Sequence, residues 1–476
     1  MAHKKILIPA SLLVVFVASL FGAVLLTPES RSPILFDIPE ISLVGYQRLM
    51  IFAPHCDDEI LGSAGLIQKA HQLGIDVRVV LETNGDGYLF ATLEEFRRIY
   101  PRPGDFIRMG DLRQQETLKA LQQLGVKSHQ VFFLGYPDRG TPQLWLQHWS
   151  RENPYTSPYT RTSRSPYHLT FNSAAVYAGE DLLGDIRSLI ETYQPDLIVY
   201  PHPADVHPDH WGLSAFVRLA VYLIQRHTPD YQPALLAYLI HRPDFPYPKR
   251  YVPEADLLPP NKMWSVDTEW FRLDLTGDEI ARKENATLAY QSQLGLLRNF
   301  LLSFVRRNEL FDRPEAGILE VVSFGDRMQP GTWLNSLGEP IPAIKQDPQG
   351  DFITRRLVPA SDWVALYAAH SPQDELWLCA ELRGRANGMF TYTLRLLAVD
   401  ENDQIAHYSA QGRAGRASFN QAEIQQNQVC THIAMDTLNR PWLLFVSADV
   451  RNGTLGILDQ IAWQAVFTFP LEVSSH

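Results

Sequence analysis

Arg48-Leu49-Met50-Ile51-Phe52-Ala53-Pro54-His55-Cys56-Asp57-Asp58-Glu59 joins an unbroken apolar run to a proline break and an acidic helix start. Arg48 to Ala53 reads as a buried strand and Glu59 to Leu73 as the helix that follows it. The same alternation repeats outward from this unit. Asp76 to Leu81 (DVRVVL) is a second strand, and Leu112 to Leu124 an amphipathic helix with Gly125 at its stop position. Gln130 to Leu134 is a third strand, and Asp181 to Tyr193 a helix ended by Pro195. Asp196 to Tyr200 (DLIVY) is a fourth strand, followed by a helix over Asp209 to Gln225. Strands alternating with helices imply a parallel sheet covered on both faces, so the expected fold class is α/β and Rossmann-like. Gly85 to Met109 and Gly140 to Thr170, rich in Gly, Pro, Tyr, Trp and Ser, read as loops overhanging the ligand crevice. A proline-rich crossing from Arg242 to Pro260 and a helical segment from Thr276 to about Asn308 complete this region, expected to span residues 45–310.

The 476 residues are too many for one ordinary domain. After about Pro314 the character changes to short aromatic or β-branched segments, such as Trp363 to Tyr367, Glu375 to Cys379, Phe390 to Val399 and Trp442 to Ala448. No helical period competes, and a β-sandwich is expected over residues 315–476. At the other end, His3, Lys4 and Lys5 precede an uncharged run from Ile6 to Leu26, about enough to cross a hydrocarbon core. Residues 1–35 are therefore expected to be a signal anchor, a single transmembrane helix with the bulk of the chain extracytoplasmic. A cleaved signal peptide fits the basic start too and would make the chain secreted. The best small-x-small site, Val17-Ala18-Ser19, comes early for cleavage.

A net charge of -11 argues against a nucleic-acid partner, since nothing supplies the dense Lys/Arg footprint that phosphate binding needs. Only Cys56, Cys379 and Cys430 occur, so there is neither a disulfide framework nor a cysteine zinc site. Cys379 and Cys430 are open to pairing in an oxidising compartment, or to lying free and buried.

Two clusters carry chemistry. His55-Cys56-Asp57-Asp58-Glu59 follows the first strand, and Pro201-His202-Pro203-Ala204-Asp205-Val206-His207-Pro208-Asp209-His210 follows the fourth. Both lie beyond carboxyl ends of parallel strands, where open sheets bind ligands, so they are expected to converge on one crevice. Two imidazoles and a carboxylate make a catalytic zinc site with an open position. A further carboxylate is then available to take a proton from water, and a second histidine to stabilise an oxyanion. Each cluster alone has a plainer reading: acids at a helix start are favoured by the helix dipole, and Asp209 is a suitable N-cap. The pair at matching topological positions is what points to a metal.

The sequence resembles the LmbE-like, PIG-L-type family of zinc-dependent N-acetylglucosaminyl de-N-acetylases over about residues 47 to 300. His55-Cys56-Asp57-Asp58-Glu59 is similar to that family's His-Pro-Asp-Asp-Glu motif, and His207-Pro208-Asp209-His210 to its His-Pro-Asp-His motif. The resemblance implies zinc ligands at His55, Asp58 and His210 and a general base at Asp57. It implies that His207 stabilises the oxyanion, oriented by Asp209. Arg113, in an Arg-x-x-Glu element, and Asp138 would touch the substrate, an amino sugar carrying an N-acetyl group. Arg113 paired to a nearby carboxylate is the alternative. Asp205 is a candidate buttress for the site, and His202 reads as a strand-end residue. Lys283 to Gln293 is similar to a late family segment ending in His-x-Ser-Gln, with Tyr290 in place of the histidine; helix packing is the plainer reading. Cys56, in place of proline, reads as a small buried filler.

Two rivals remain. One is a membrane-tethered, non-catalytic carbohydrate-binding protein, with Trp333, Trp363, Trp377, Trp442 and Trp463 free to stack on sugar rings or, alternatively, filling a sandwich core. The other is a metal-dependent amidase acting on a non-sugar amide.

Overall fold

The apolar run at Arg48–Ala53 forms β1, an inner strand of a seven-stranded sheet in the order β3-β2-β1-β4-β5-β7-β6. Its neighbours are β2 (Asp76–Thr83) and β4 (Leu197–Pro201), both parallel to it; beyond them lie β3 (Val131–Tyr136) and β5 (Ala234–Tyr238). β6 (Trp270–Asp274) and β7 (Asn308–Asp312) add an antiparallel edge. The parallel strands read as continuous apolar runs because helices cover both faces. Among these are α1 (Asp58–Gln72), α2 (Leu89–Phe96), α3 (Pro103–Gln123), α4 (Thr141–Leu146), α5 (Gly179–Tyr193), α6 (Pro208–His227), α7 (Gly277–Leu288) and α8 (Leu294–Leu302). This computed structural model describes residues 38–97, 100–266, 268–415 and 422–469. The transmembrane segment expected within residues 1–35 lies outside the described residues, among which no helix is long and apolar enough to cross a membrane.

After β7 the chain builds two further six-stranded sheets, largely antiparallel. The short strands β8 (Gly317–Ile318), β9 (Glu320–Val321), β10 (Phe324–Asp326), β11 (Gln329–Leu334) and β12 (Lys345–Gln346) come first, and β10 pairs with β11. One six-stranded sheet then joins β9 and β12 to β13 (Trp363–His370), β14 (Glu375–Leu382), β17 (Glu423–Gln425) and β18 (Gln428–Ala434); the other joins β8 to β15 (Thr391–Val399), β16 (Ile405–Gly412), β19 (Leu443–Asn452), β20 (Gly456–Gln460) and β21 (Gln464–Phe467). Alternation along β15 and β19 shows how they are used. Leu394, Leu396, Leu444 and Val446 point between the sheets, where they meet Leu366, Leu376 and Leu378. Leu397, Val399, Leu443 and Phe445 point the other way and join the core around α5 and α6. Trp145 lies at this junction, with ring centroids 5.0 Å from Phe216, 5.5 Å from Phe445 and 5.6 Å from Trp463. Buried Arg218 donates from Nη2 to the Trp463 carbonyl at 2.7 Å. From Pro39 onward the chain is one compact unit, and the sandwich shares its core with the α/β region.

Trp333, Trp363, Trp377, Trp442 and Trp463 are all buried, so they fill cores and offer no platform for a sugar. Cys379 and Cys430 stand opposite one another on β14 and β18 and form a disulfide. Three expectations need correction. Gly85 to Met109 is not all loop, because α2 and the first turns of α3 lie within it; Pro103 occupies the first turn of α3, where a missing N–H costs nothing. The segment from Thr276 to Asn308 is two helices and not one. Gly140 to Thr170 is not all loop either, since α4 lies within it. Short, mixed-polarity runs at Ala234–Tyr238, Trp270–Asp274 and Asn308–Asp312 are strands that the sequence reading did not assign. Phe445→Ala is expected to cost about 3–5 kcal/mol, as deletion of a buried aromatic ring does. It should lower a single unfolding transition in denaturant; two transitions, only one of which moves, would contradict a shared core.

Candidate active site and metal centre

Because β1 and β4 are hydrogen-bonded neighbours, with Ile51 opposite Val199, the segments leaving their carboxyl ends run side by side. The first opens α1 with Asp57 at the N-cap; the second opens α6 with His207 at the N-cap and Pro208 behind it. Three side-chain atoms converge between them. His55 Nδ1 lies 3.0 Å from Asp58 Oδ2, Asp58 Oδ2 lies 3.0 Å from His210 Nε2, and the two nitrogens are 3.3 Å apart. Ligands about 2.0–2.1 Å from a tetrahedral zinc stand about 3.3 Å from one another, so these separations fit. Wider groupings also exist, within 4.8 Å: His55 with His207 and His210, Asp58 with His210 and His241, and His55 with Asp138 and Asp209. The His55, Asp58 and His210 set joins two nitrogens to a carboxylate oxygen at 3.0–3.3 Å, separations that fit a zinc ion.

The electrostatics agree. Burial alone would raise Asp58, but His210 and His55 pull it well below the usual carboxylate range. Burial would lower both imidazoles, yet Asp205 and Asp58 hold His210 up to about 9, and Asp138, Asp209 and Asp58 raise His55 well above its ordinary value. The field at this point favours positive charge, and a divalent cation answers it while releasing the imidazole protons.

Each ligand is braced. Asp205 Oδ2 sits 3.0 Å from His210 Nδ1 and also accepts from the backbone N–H groups of Ile240 and His241 at 3.1 and 2.9 Å. His55 Nε2 meets Asp209 Oδ2 at 3.1 Å. Asp209 in turn accepts from the Arg139 and Thr141 amides at 2.7 and 3.2 Å. Where the sequence led to a pairing of Asp209 with His207, the hydrogen bond that Asp209 makes is to His55. The reason is geometric, since α6 turns the second residue of its first turn back toward β1. Nδ1 of His207 is buried with no hydrogen-bond partner among the described residues, and burial followed by the nearby charge of His55 pushes its ring down to about 4. It therefore stays neutral beside the ligand cluster, its ring centroid 4.7 Å from His55.

Asp57 adopts φ 134°, a region that costs a non-glycine residue about 1–3 kcal/mol and persists only where surroundings enforce it. Arg113 Nη2 lies 3.2 Å from its Oδ2, and Arg113 also donates to the carbonyls of Gly85 and Cys56. A Cβ at Gly85 would stand 1.7 Å from Arg113 Nη1, so glycine is required there. Burial pushes the Asp57 carboxyl up to about 7 against the pull of Arg113, near the value a neutral-pH acid–base group needs. Arg113 is 3% exposed and so faces the base and not solvent. Asp138 is buried, accepts from the Gly87 amide at 2.8 Å, and lies 3.6 Å from His55 Nε2. Cys56 is free and buried, its thiol pushed up to about 12 by burial, which leaves it unreactive. His202 is engaged elsewhere, 2.9 Å from Asp312.

Sequence reasoning missed two residues here. His241 follows β5 and places its ring 4.6 Å from His210; its position after the carboxyl end of a parallel strand was the available signal. Glu82 at the end of β2 is fully buried, accepts from Thr141 Oγ1 at 2.6 Å, and is raised well above its usual range by burial and by Asp209. Asp205→Asn is expected to leave the fold intact and weaken zinc affinity by about 10–100-fold, the usual effect of removing a carboxylate behind a ligating histidine. Competition against a calibrated chelator reads this directly, and an unchanged affinity would remove Asp205 from the site.

Comparison with known proteins matches the site. The family model described as PIG-L, GlcNAc-PI de-N-acetylase, matches residues 50–221, which contain both clusters. Among solved structures, N,N'-diacetylchitobiose deacetylase from Pyrococcus horikoshii is 17% identical with a TM-score of 0.35, over 65% of this chain and 94% of that one. A deacetylase of the teicoplanin biosynthesis pathway is 18% identical with a TM-score of 0.35, over 56% and 97%. GalB, the 4-carboxy-2-hydroxymuconate hydratase from Pseudomonas putida, is 16% identical with a TM-score of 0.34, over 54% and 82%. Residues 50–221 of this chain are a domain of the PIG-L family.

Proposed function

We propose that this chain hydrolyses the N-acetyl group of an N-acetylated amino sugar, releasing acetate, with a zinc ion held by His55, Asp58 and His210. The observation that carries the reading is the convergence of His55 Nδ1, Asp58 Oδ2 and His210 Nε2 within 3.0–3.3 Å, beside a carboxylate kept near neutral pKa. The PIG-L domain supports the same reading. When bound, the ion supplies Lewis-acid polarisation of the acetamide carbonyl and a lower pKa for water.

The chain's own groups do the rest. Asp57, set against Arg113, takes the proton of the attacking water. Neutral His207 keeps one ring N–H to offer the oxygen on which charge develops as the carbonyl carbon becomes tetrahedral. Asp57, now protonated, returns its proton to the departing amine, leaving acetate and a free amino sugar. Asp209 and Asp205 hold His55 and His210 in orientation throughout. The Cys379–Cys430 bond supports a location in an oxidising compartment, in keeping with an N-terminal anchor that leaves the bulk of the chain extracytoplasmic.

The test is to measure metal content and acetate release from N-acetylglucosamine and its short oligomers, with and without chelator. Chelator-sensitive acetate release is expected; folded protein that takes up no metal would sink the mechanism. Asp57→Asn should retain zinc and lose about 10²–10⁴-fold in turnover, the range for removal of a general acid–base group. His210→Ala should lose the metal itself. Full zinc occupancy in that variant, by elemental analysis, would contradict the ligand assignment.

A further inference from the structure

The strained main chain at Asp57 is tied from behind by Glu59, which is itself held by a residue outside both motifs. Its amide N–H donates to Glu59 Oε2 at 3.0 Å, within the first turn of α1. Glu59 is fully buried, and its other oxygen, Oε1, accepts from the hydroxyl of Tyr290. Tyr290 is 1% exposed and comes from the connection after α7, more than two hundred residues away in sequence. Its hydroxyl is also 3.3 Å from Thr117 Oγ1 on α3.

The connection itself is pinned to the same helix. Ser292 donates from its amide and its hydroxyl to Glu116, at 2.8 and 2.6 Å. One turn earlier, α3 carries Arg113, which grips the Asp57 carboxylate. The candidate base is thus held twice from one scaffold: its side chain by Arg113, and its backbone by Glu59 through Tyr290.

We infer that Tyr290 is a positioning residue for the reaction, its hydroxyl fixing Glu59 so that Glu59 holds the Asp57 backbone in the conformation that aims the carboxylate. Packing alone would need only the ring. A buried carboxylate with two oxygens needs donors for both, and Tyr290 supplies one of them while Asp57 receives the benefit of the other. Without the hydroxyl, Glu59 Oε1 is left without that donor in a fully buried place, the carboxylate is free to turn, and the tether on Asp57 slackens. Misplacement of a reacting group by about 1 Å is enough to cost about 10²-fold in rate.

This rests on Asp57 being the base of the proposed hydrolysis, so the full chain and its Tyr290→Phe and Tyr290→His variants are compared for kcat, KM and bound zinc. The expectation for Tyr290→Phe is kcat lower by about 10–100-fold with KM within about twofold and zinc at the wild-type level. Tyr290→His keeps a ring N–H donor pointing the same way on a shorter side chain and should restore part of the loss. A Tyr290→Phe chain with wild-type kcat overturns the inference, as does a loss of kcat that tracks lost zinc and is not recovered by histidine. If the phenylalanine chain does not fold, the histidine variant decides alone: kcat near wild type at unchanged KM supports the role, and a collapse of kcat with zinc retained overturns it. A wild-type chain that releases no acetate overturns the deacetylase reading itself, and the inference with it.

Discussion

Hydrogen bonding between β1 and β4 is the constraint on which the site depends. The two motifs are about 150 residues apart in sequence, and the three converging side chains are drawn from both. Parallel pairing in register, Leu49 with Leu197 through Ile51 with Val199, brings their exits together at the point where the strand order reverses. Each exit then starts a helix, so ligand-bearing residues occupy first turns whose geometry is set by capping and by the sheet beneath. Asp58 and His210 lie on different helices yet come within 3.0 Å because both helices rise from adjacent strands. A slip in β4 would turn every side chain to the opposite face and dissolve the cluster.

The charge gathered there explains why a cation belongs. Asp57, Asp58, Glu59, Glu82, Asp138, Asp205 and Asp209 are all buried around one crevice, and Arg113 sets its guanidinium against one of them, Asp57. Buried carboxylates are tolerated only when they are paired, hydrogen-bonded or neutral. Different members use different solutions. Asp209 and Asp205 accept backbone N–H groups, Glu82 is pushed by burial toward the neutral form, Glu59 accepts from Tyr290 and from the Asp57 amide, and Asp58 relies on two imidazoles. The last arrangement is the one that a divalent ion replaces most directly, because the same lone pairs that share protons are those that ligate.

Much of this was legible in the sequence, and the reasons for the remainder are physical. Strong apolar runs marked β1, β2, β3 and β4, and an acid or proline start marked α1 and α6, so the crevice and its ligand types followed from periodicity and topology. What a one-dimensional reading cannot supply is partner choice between carboxylates that are close in sequence. Asp209 is two residues from His207 and natural to pair with it, yet the first turn of α6 sends it toward His55. Tyr290 was legible only as a departure from a motif, since its meaning lies in a contact with Glu59 across the fold. β6 was lost because a half-exposed antiparallel edge needs no apolar run, and β7 because, although buried, it carries Asn308, Glu309 and Asp312, whose polar groups are satisfied by partners distant in sequence.

The carboxyl-terminal third is better described as part of the scaffold than as an appendage. Its inner sheet is buried twice, by the facing sheet on one side and by α5 and α6 on the other, which is why β19 reads as an almost unbroken apolar strand. α6 is thus clamped along its length while its first turn carries His207 and His210. A second tie reaches the crevice at the end of β5. Arg242, adjacent to His241, is buried and pairs with Asp351 from the carboxyl-terminal third at 2.8 Å. A helix that must present an imidazole to within a few tenths of an ångström gains from being held at its far end. Burial of α6 against the sandwich therefore acts on the same geometry as Asp205 does at the ligand, one by packing and the other by a hydrogen bond.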